Sequence, residues 1–169
     1  MIYDGNSRPF SALDSYNVAI CRPTAFAGAT ANARGDSGGT DAAHTLFTVT
    51  GDVLVRLWGV CTTLLAGASA TLSVGVTDNT ALLLALTTAT DIDANEIWND
   101  ATPAIGDTLA NITGPFVIPN GLDIIETTAT ADITSGNVYY ICLWRPVSVG
   151  LDAAGVSIAG NVVAAGTQT

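Results

Sequence analysis

The chain has 169 residues, enough for one domain that buries about 70% of the surface its unfolded form exposes, so folding needs no disulfide or metal staple. It carries five Lys+Arg, all of them arginine, against fifteen acids, for a net charge of −10. That balance excludes direct nucleic-acid binding, which needs a cationic footprint to displace counterions from phosphates, and excludes docking on anionic membranes by the same sign. The absence of lysine removes Schiff-base chemistry as well.

Charged residues make up 12% of the chain, against about 25% in ordinary soluble domains. The surface is therefore polar through Thr, Ser, Asn and Asp, which suits a protein packed against copies of itself or against partners. Residues 1–14 contain Gly5 and Pro9 and show no periodicity; they form an N-terminal arm without a basic region followed by an apolar core, so no signal peptide is expected. Residues 16–22 alternate and predict a first strand, ended by Pro23. Residues 24–43 are glycine-rich with almost no bulky side chain and read as a long loop, a feature that in a compact domain tends to be functional.

Residues 45–77 hold two alternating runs separated by Ala66-Gly67-Ala68-Ser69, the pattern of adjacent strands joined by a tight turn. In the first run Val53, Val55, Leu57, Gly59 and Cys61 share one face and Leu54, Arg56, Trp58, Val60 and Thr62 the other. Residues 57–77 lack charge over about the length that crosses a bilayer. Thr, Ser and Gly interrupt them throughout, so the expectation is strand rather than spanning helix.

Residues 81–88 are fully apolar up to their Thr-rich exit; their Leu and Ala would also suit a short helix, but length and exit favour a buried strand. Residues 91–107, the most acidic part of the chain, predict a crossing loop anchored by Ile97 and Trp98. Residues 112–118 and 122–128 read as two strands of a hairpin around Pro119-Asn120-Gly121. Residues 137–147 are the last strong strand, with Val138, Tyr140, Cys142 and Trp144 on one face and Tyr139, Ile141, Leu143 and Arg145 on the other. Residues 151–169 are a tail or an edge strand. Eight or so short strands with Gly, Asn and Pro between them define an all-β, antiparallel β-sandwich, jelly-roll-like, spanning residues 15–150. Sheet edges without guarding lysines favour oligomerisation, and a cyclic trimer is expected.

Motifs for chemistry are sparse. His44 is the sole histidine, so neither a His-based metal cluster nor a triad forms without it, and no GxSxG, P-loop, GxGxxG or HExxH occurs. No catalytic residue, metal ligand, cofactor or small-molecule substrate is assigned. Asp91, Asp93, Asn95 and Glu96 are oxygen donors of the kind Ca²⁺ takes, but Glu96 stands where an EF-hand needs glycine, and a solvated loop is the better reading. Arg34-Gly35-Asp36 is a chance-level RGD tripeptide, better read as a salt-linked loop tip or a partner contact. Cys21, Cys61 and Cys142, with no CxxC pair, read as buried free thiols, with a Cys61–Cys142 bridge between neighbouring strands left open. Trp58 and Trp144 follow apolar series and read as core or subunit interface rather than as a sugar-stacking platform, and with Arg56 they are assigned to an oligomer interface.

The run LFTVTGDVLVRLWGVCTT, followed by a short alternating strand, a Thr-rich apolar run and YYICLWRPV, resembles the small β-rich virion proteins of tailed bacteriophages, specifically head decoration (cement) proteins. The resemblance covers residues 46–145. It implies a non-enzymatic jelly-roll-like protein, made in the host cytoplasm, that sits as a homotrimer on the capsid surface and grips the major capsid protein. Arm and loop would supply the contacts, through Tyr3, Arg8, Phe10, Phe26, Arg34 and Asp36. The alternative is a phage tail, receptor-binding or carbohydrate-binding β-sandwich module.

Overall fold

The computed structural model describes residues 16–38, 42–106, 112–147, 149–151 and 157–165. Two antiparallel five-stranded sheets pack face to face as an all-β sandwich. The first sheet is built from β1 (Asn17–Cys21), β3 (Val53–Ala66), β6 (Ile97–Trp98), β7 (Phe116–Ile118) and β9 (Ser135–Pro146). Its order is β1-β9-β3-β6, with β7 also on β3. The second runs β12-β2-β8-β4-β5, from β2 (Ala43–Thr50), β4 (Thr71–Val76), β5 (Asn79–Thr88), β8 (Ile124–Ala129) and β12 (Asn161–Ala164). A separate small pair joins β10 (Val149–Leu151) to β11 (Ser157–Ala159).

Alternation decides which faces meet. On β3 the residues Val53, Val55, Leu57, Gly59 and Cys61 are buried and their neighbours Leu54, Arg56, Trp58 and Val60 are half-buried. A pleated strand with this pattern can point its apolar set only one way. The set meets Leu46, Phe47, Leu72, Val74 and Ile124 from the second sheet in one core, with Val138 and Tyr140 of β9 beside it. The uncharged run at residues 57–77 is thus strand, turn and strand, and among the described residues no helix is long and apolar enough to cross a membrane.

Two expected hairpins are not hairpins. β3 and β4 lie in different sheets, as do β7 and β8, so the breaks at Gly67 and at Pro119-Asn120-Gly121 carry the chain across the sandwich. Neighbouring turn groups explain the second crossing: Asn120 Oδ1 accepts from the Gly51 N–H at 2.8 Å and the Asn120 N–H donates to Asp52 Oδ1 at 3.0 Å. Asp123 Oδ1 accepts from Val49 N–H at 3.1 Å. The turn is thereby tied to the β2–β3 connection rather than folded on itself. β5 is an edge strand, not a fully buried one: Leu83 and Leu84 are buried while Leu86 is exposed, and its pairing with β4 shifts register twice.

Gly59 shows how sequence makes room inside. A Cβ there would meet Val138 Cγ1 at 2.9 Å and the Trp98 and Tyr140 rings at 3.3 Å. Without it the two rings fit against β3, their centroids 6.3 Å apart. Trp98 is wholly buried, and its indole N–H donates to Thr87 Oγ1 at 3.0 Å. The anchoring expected of Ile97 and Trp98 thus takes the form of a two-residue strand clipped to Gly59 and Val60 of β3.

Candidate functional site

Two arrangements stand out, one inside and one outside. The inner one starts at Arg34, in the loop after β1, which is only 5% exposed. Its Nε donates to Glu126 Oε1 at 2.8 Å and its Nη2 to Glu126 Oε2 at 2.6 Å, a bidentate pair. Nη1 reaches Thr24 O and Asn137 Oδ1, and Nη2 also reaches Val138 O. All five donors of the guanidinium are therefore used. The guanidinium also lies 3.8 Å from the Phe26 ring centroid, and the Tyr140 hydroxyl donates to Glu126 Oε2. Burial opposes the arginine's charge, and Glu126 more than offsets it, so its pKa is raised. Tyr140 titrates well above its ordinary range because of burial first and the Glu126 carboxylate second.

This cluster binds the glycine-rich loop to β8 of one sheet and β9 of the other. Gly35, at φ +95, makes the turn that sends Arg34 inward, a backbone conformation that side chains with a Cβ rarely adopt. Nothing here can act as a nucleophile-and-base pair, because every charge is consumed by its partner. The cluster is a fastening.

Phe26 and Arg34 are consequently not partner contacts: both are buried, and Arg34 pairs with Glu126 rather than making a salt-linked tip with Asp36. Asp36, half-buried, holds the loop by accepting from the Asn32 and Gly38 N–H groups at 2.8 and 2.9 Å. Tyr3, Arg8 and Phe10, together with the arm at 1–14, lie outside the described residues. Trp144 is on the inward side of β9 and packs against the core, so it is not on the outer face with Arg56 and Trp58. His44, in β2, is half-buried opposite Glu126 in the register. Among the described residues no group of three or more His, Cys, Asp or Glu could hold a metal ion. In the acidic loop Glu96 accepts from the Asp93 N–H at 2.9 Å.

The three thiols are free and buried. Cys61 lies opposite Val138 and Cys142 opposite Leu57, an offset of four residues or roughly 13 Å along the strands, beyond the reach of a bridge. Burial pushes Cys21 and Cys61 up to about 11 and Cys142 up to about 12. Folded-state values raised above the unfolded one mean that this contribution to stability is fully present below about pH 9. It is lost progressively as pH rises toward those folded values, because only the unfolded chain gives up the protons. Denaturant melts from pH 7 to 11 are expected to show a plateau followed by a decline above pH 9, and thiol reagents should label the native chain only through unfolding.

The outer arrangement is the exposed face of the first sheet. Register places Val18 beside Leu143 and then Arg56, and Ile20 beside Ile141 and then Trp58. Tyr139 stands beside Val60, and Arg145 beside Leu54 and then Val117. Val18, Ile20 and Val117 are 60%, 45% and 55% exposed. Arg22 lies over the Tyr139 ring at 5.8 Å and Arg145 over the Tyr16 ring at 5.6 Å. The face thus carries exposed Val18 and Ile20 on the edge strand β1, half-buried Ile141 and Trp58 beside them, buried Leu143, and three arginines, Arg22, Arg56 and Arg145. No outward strand position described on it is acidic. Sequence reasoning named Arg56 and Trp58 but not the β1 residues Val18 and Ile20, whose signal was their alternation with Asn17, Ala19 and Cys21. It also missed Glu126, the lone acid in a run of Ile and Thr.

No family model matches the chain, and no match to it was found among curated proteins or solved structures.

Proposed function

We propose that this chain is a non-enzymatic structural protein of a tailed-phage virion that binds the outside of the capsid and stabilises it by bridging capsomers. The observation that carries the reading is the outer face of the first sheet. Val18, Ile20 and Val117 are exposed on this one face, and exposed apolar side chains grouped together mark interaction sites more often than scattered ones do, while arginines beside aromatic and aliphatic side chains suit a protein–protein interface. Arg56 and Trp58 keep their assignment to association between copies, in a homotrimer, and Trp144 and Arg34 leave the contact set for the reasons given above. Capsid contacts fall to the arm and to the exposed loop tip at Thr30–Asn32. Bridging works through several weak contacts made at once over many copies.

Deleting residues 1–14 is expected to abolish co-sedimentation with expanded capsids while leaving the oligomer unchanged by light scattering. Capsid binding that survives the deletion would remove the arm from the contact. A wild-type chain that binds no capsid at any ionic strength would sink the decoration reading. A second reading, a carbohydrate- or receptor-binding tail module, draws on Trp58 and Tyr139 lying on one open face, since aromatic rings stack on sugars. Glycan-array binding that is lost in Trp58→Ala would favour it.

A further inference from the structure

The same chain carries a surface complementary to the outer face. Beside β6, at the other side of the first sheet from β1, Asp91 and Asp93 are exposed and Glu96 and Asp100 are half-buried. Next to them the loop after Trp98 turns back, Ala104 exchanging backbone hydrogen bonds with Ile97 at 2.8 and 3.2 Å. That pairing projects Ile105 outward, 79% exposed, the most exposed of the large hydrophobic residues described. One side of the sheet is therefore an apolar patch beside arginines, and the other an apolar knob beside carboxylates.

We propose that the outer face of the first sheet binds the β6 side of a second copy of this chain, head to tail, with Ile105 of one copy seated on the Val18, Ile20 and Trp58 patch of the next. The proposal deepens the assembly reading and rests on it for its biological setting, but self-association is measured without any capsid. Charge favours this pairing over its rivals. Face-to-face packing of two identical patches would bring the exposed Arg22 and Arg145 of both copies onto one contact with no outward strand acid to offset them, and like charges across an interface are unfavourable. A head-to-tail contact instead brings Asp91 and Asp93 of one copy onto the arginine-bearing face of the next. It uses two different patches, so it continues from copy to copy until rotation closes a ring.

Size fits a contact that needs repetition. Four strands about 4.8 Å apart and some seven residues of about 3.3 Å give a face of roughly 400 Å² in projection. A standard stable interface takes about 800 Å² per partner. One such contact is weak, and closure makes each copy use two.

The test is a charge swap read by sedimentation velocity, on residues that are exposed and so leave the fold intact, checked by circular dichroism. Arg22→Glu with Arg145→Glu, and separately Asp91→Arg with Asp93→Arg, should each weaken self-association about tenfold or more. All four substitutions in one chain should restore it to near the wild-type level. Ile105→Ser should weaken it without changing its salt dependence. A wild-type chain that is monomeric throughout overturns the proposal, whatever capsids do. An aspartate variant that associates like wild type points to face-to-face packing and overturns it too, as does a fourfold variant no better than either half. Capsid co-sedimentation of the same proteins separates the two ideas, because a head-to-tail oligomer that binds no capsid defeats the decoration reading alone.

Discussion

Arg34→Met is expected to destabilise the fold by about 3–5 kcal/mol, the usual cost of removing one partner from a buried ion pair. The cause is what stays behind. Glu126, 1% exposed, would lose its bidentate partner and keep the Tyr140 hydroxyl as hydrogen-bond donor, and an uncompensated buried charge is far worse than a buried apolar residue. In a domain of this size the loss corresponds to a fall in melting temperature of roughly 10 °C or more. Arg34→Lys should not rescue it, because an ammonium group has three donors and no planar fork, where five bonds are made at present. The double variant Arg34→Met, Glu126→Leu should regain much of the stability. A single-variant loss under 1 kcal/mol, or a double variant as unstable as the single, would show that the cluster does not fasten the loop.

Trp98→Ala is expected to cost a similar amount, about 3–5 kcal/mol for a fully buried tryptophan. Part is lost apolar burial and the contact with Tyr140; part is the hydrogen bond to Thr87. The space cannot refill easily, since the nearest strand position is Gly59, which has no side chain to move in. That gives the prediction a second handle. Gly59→Ala alone should be destabilising, because its Cβ would press on Val138 at 2.9 Å. Combined with Trp98→Ala it should cost less than the sum of the two, a coupling that a double-mutant cycle in urea measures directly. Strict additivity would mean that the ring and the glycine do not share the space described.

The faces of β3 and β9 were legible because alternation over many residues leaves a strand one way to lie. The sheet membership of those strands was not. A turn sequence such as Pro119-Asn120-Gly121 reverses the chain equally well within a sheet or between sheets, and what decides is the hydrogen bonding of Gly51 and Asp52, far away in sequence. The Arg34 cluster was illegible for the same reason: Arg34 reads as a salt-linked loop tip with Asp36 or a partner contact until Glu126, distant along the chain, supplies the charge that pairs with it. Arg56 and Trp58 could be placed on the outer face of β3 by period alone. Their neighbours Val18 and Ile20 came into view only when β1 was found to pair with β9 rather than with the strand that follows it.

The pairing of β3 with β9 also governs when the protein can fold. The middle of the first sheet joins Val53 to Pro146 and Cys61 to Val138, so it cannot close until Pro146 has left the ribosome. At the usual synthesis rate of about 5–20 residues per second, β3 waits roughly 5–20 s for its partner. Such long-range pairing belongs to topologies that fold in milliseconds to seconds rather than microseconds. During that interval the apolar side of β3 is uncovered, and exposed apolar strands of this kind are where incompletely folded chains aggregate.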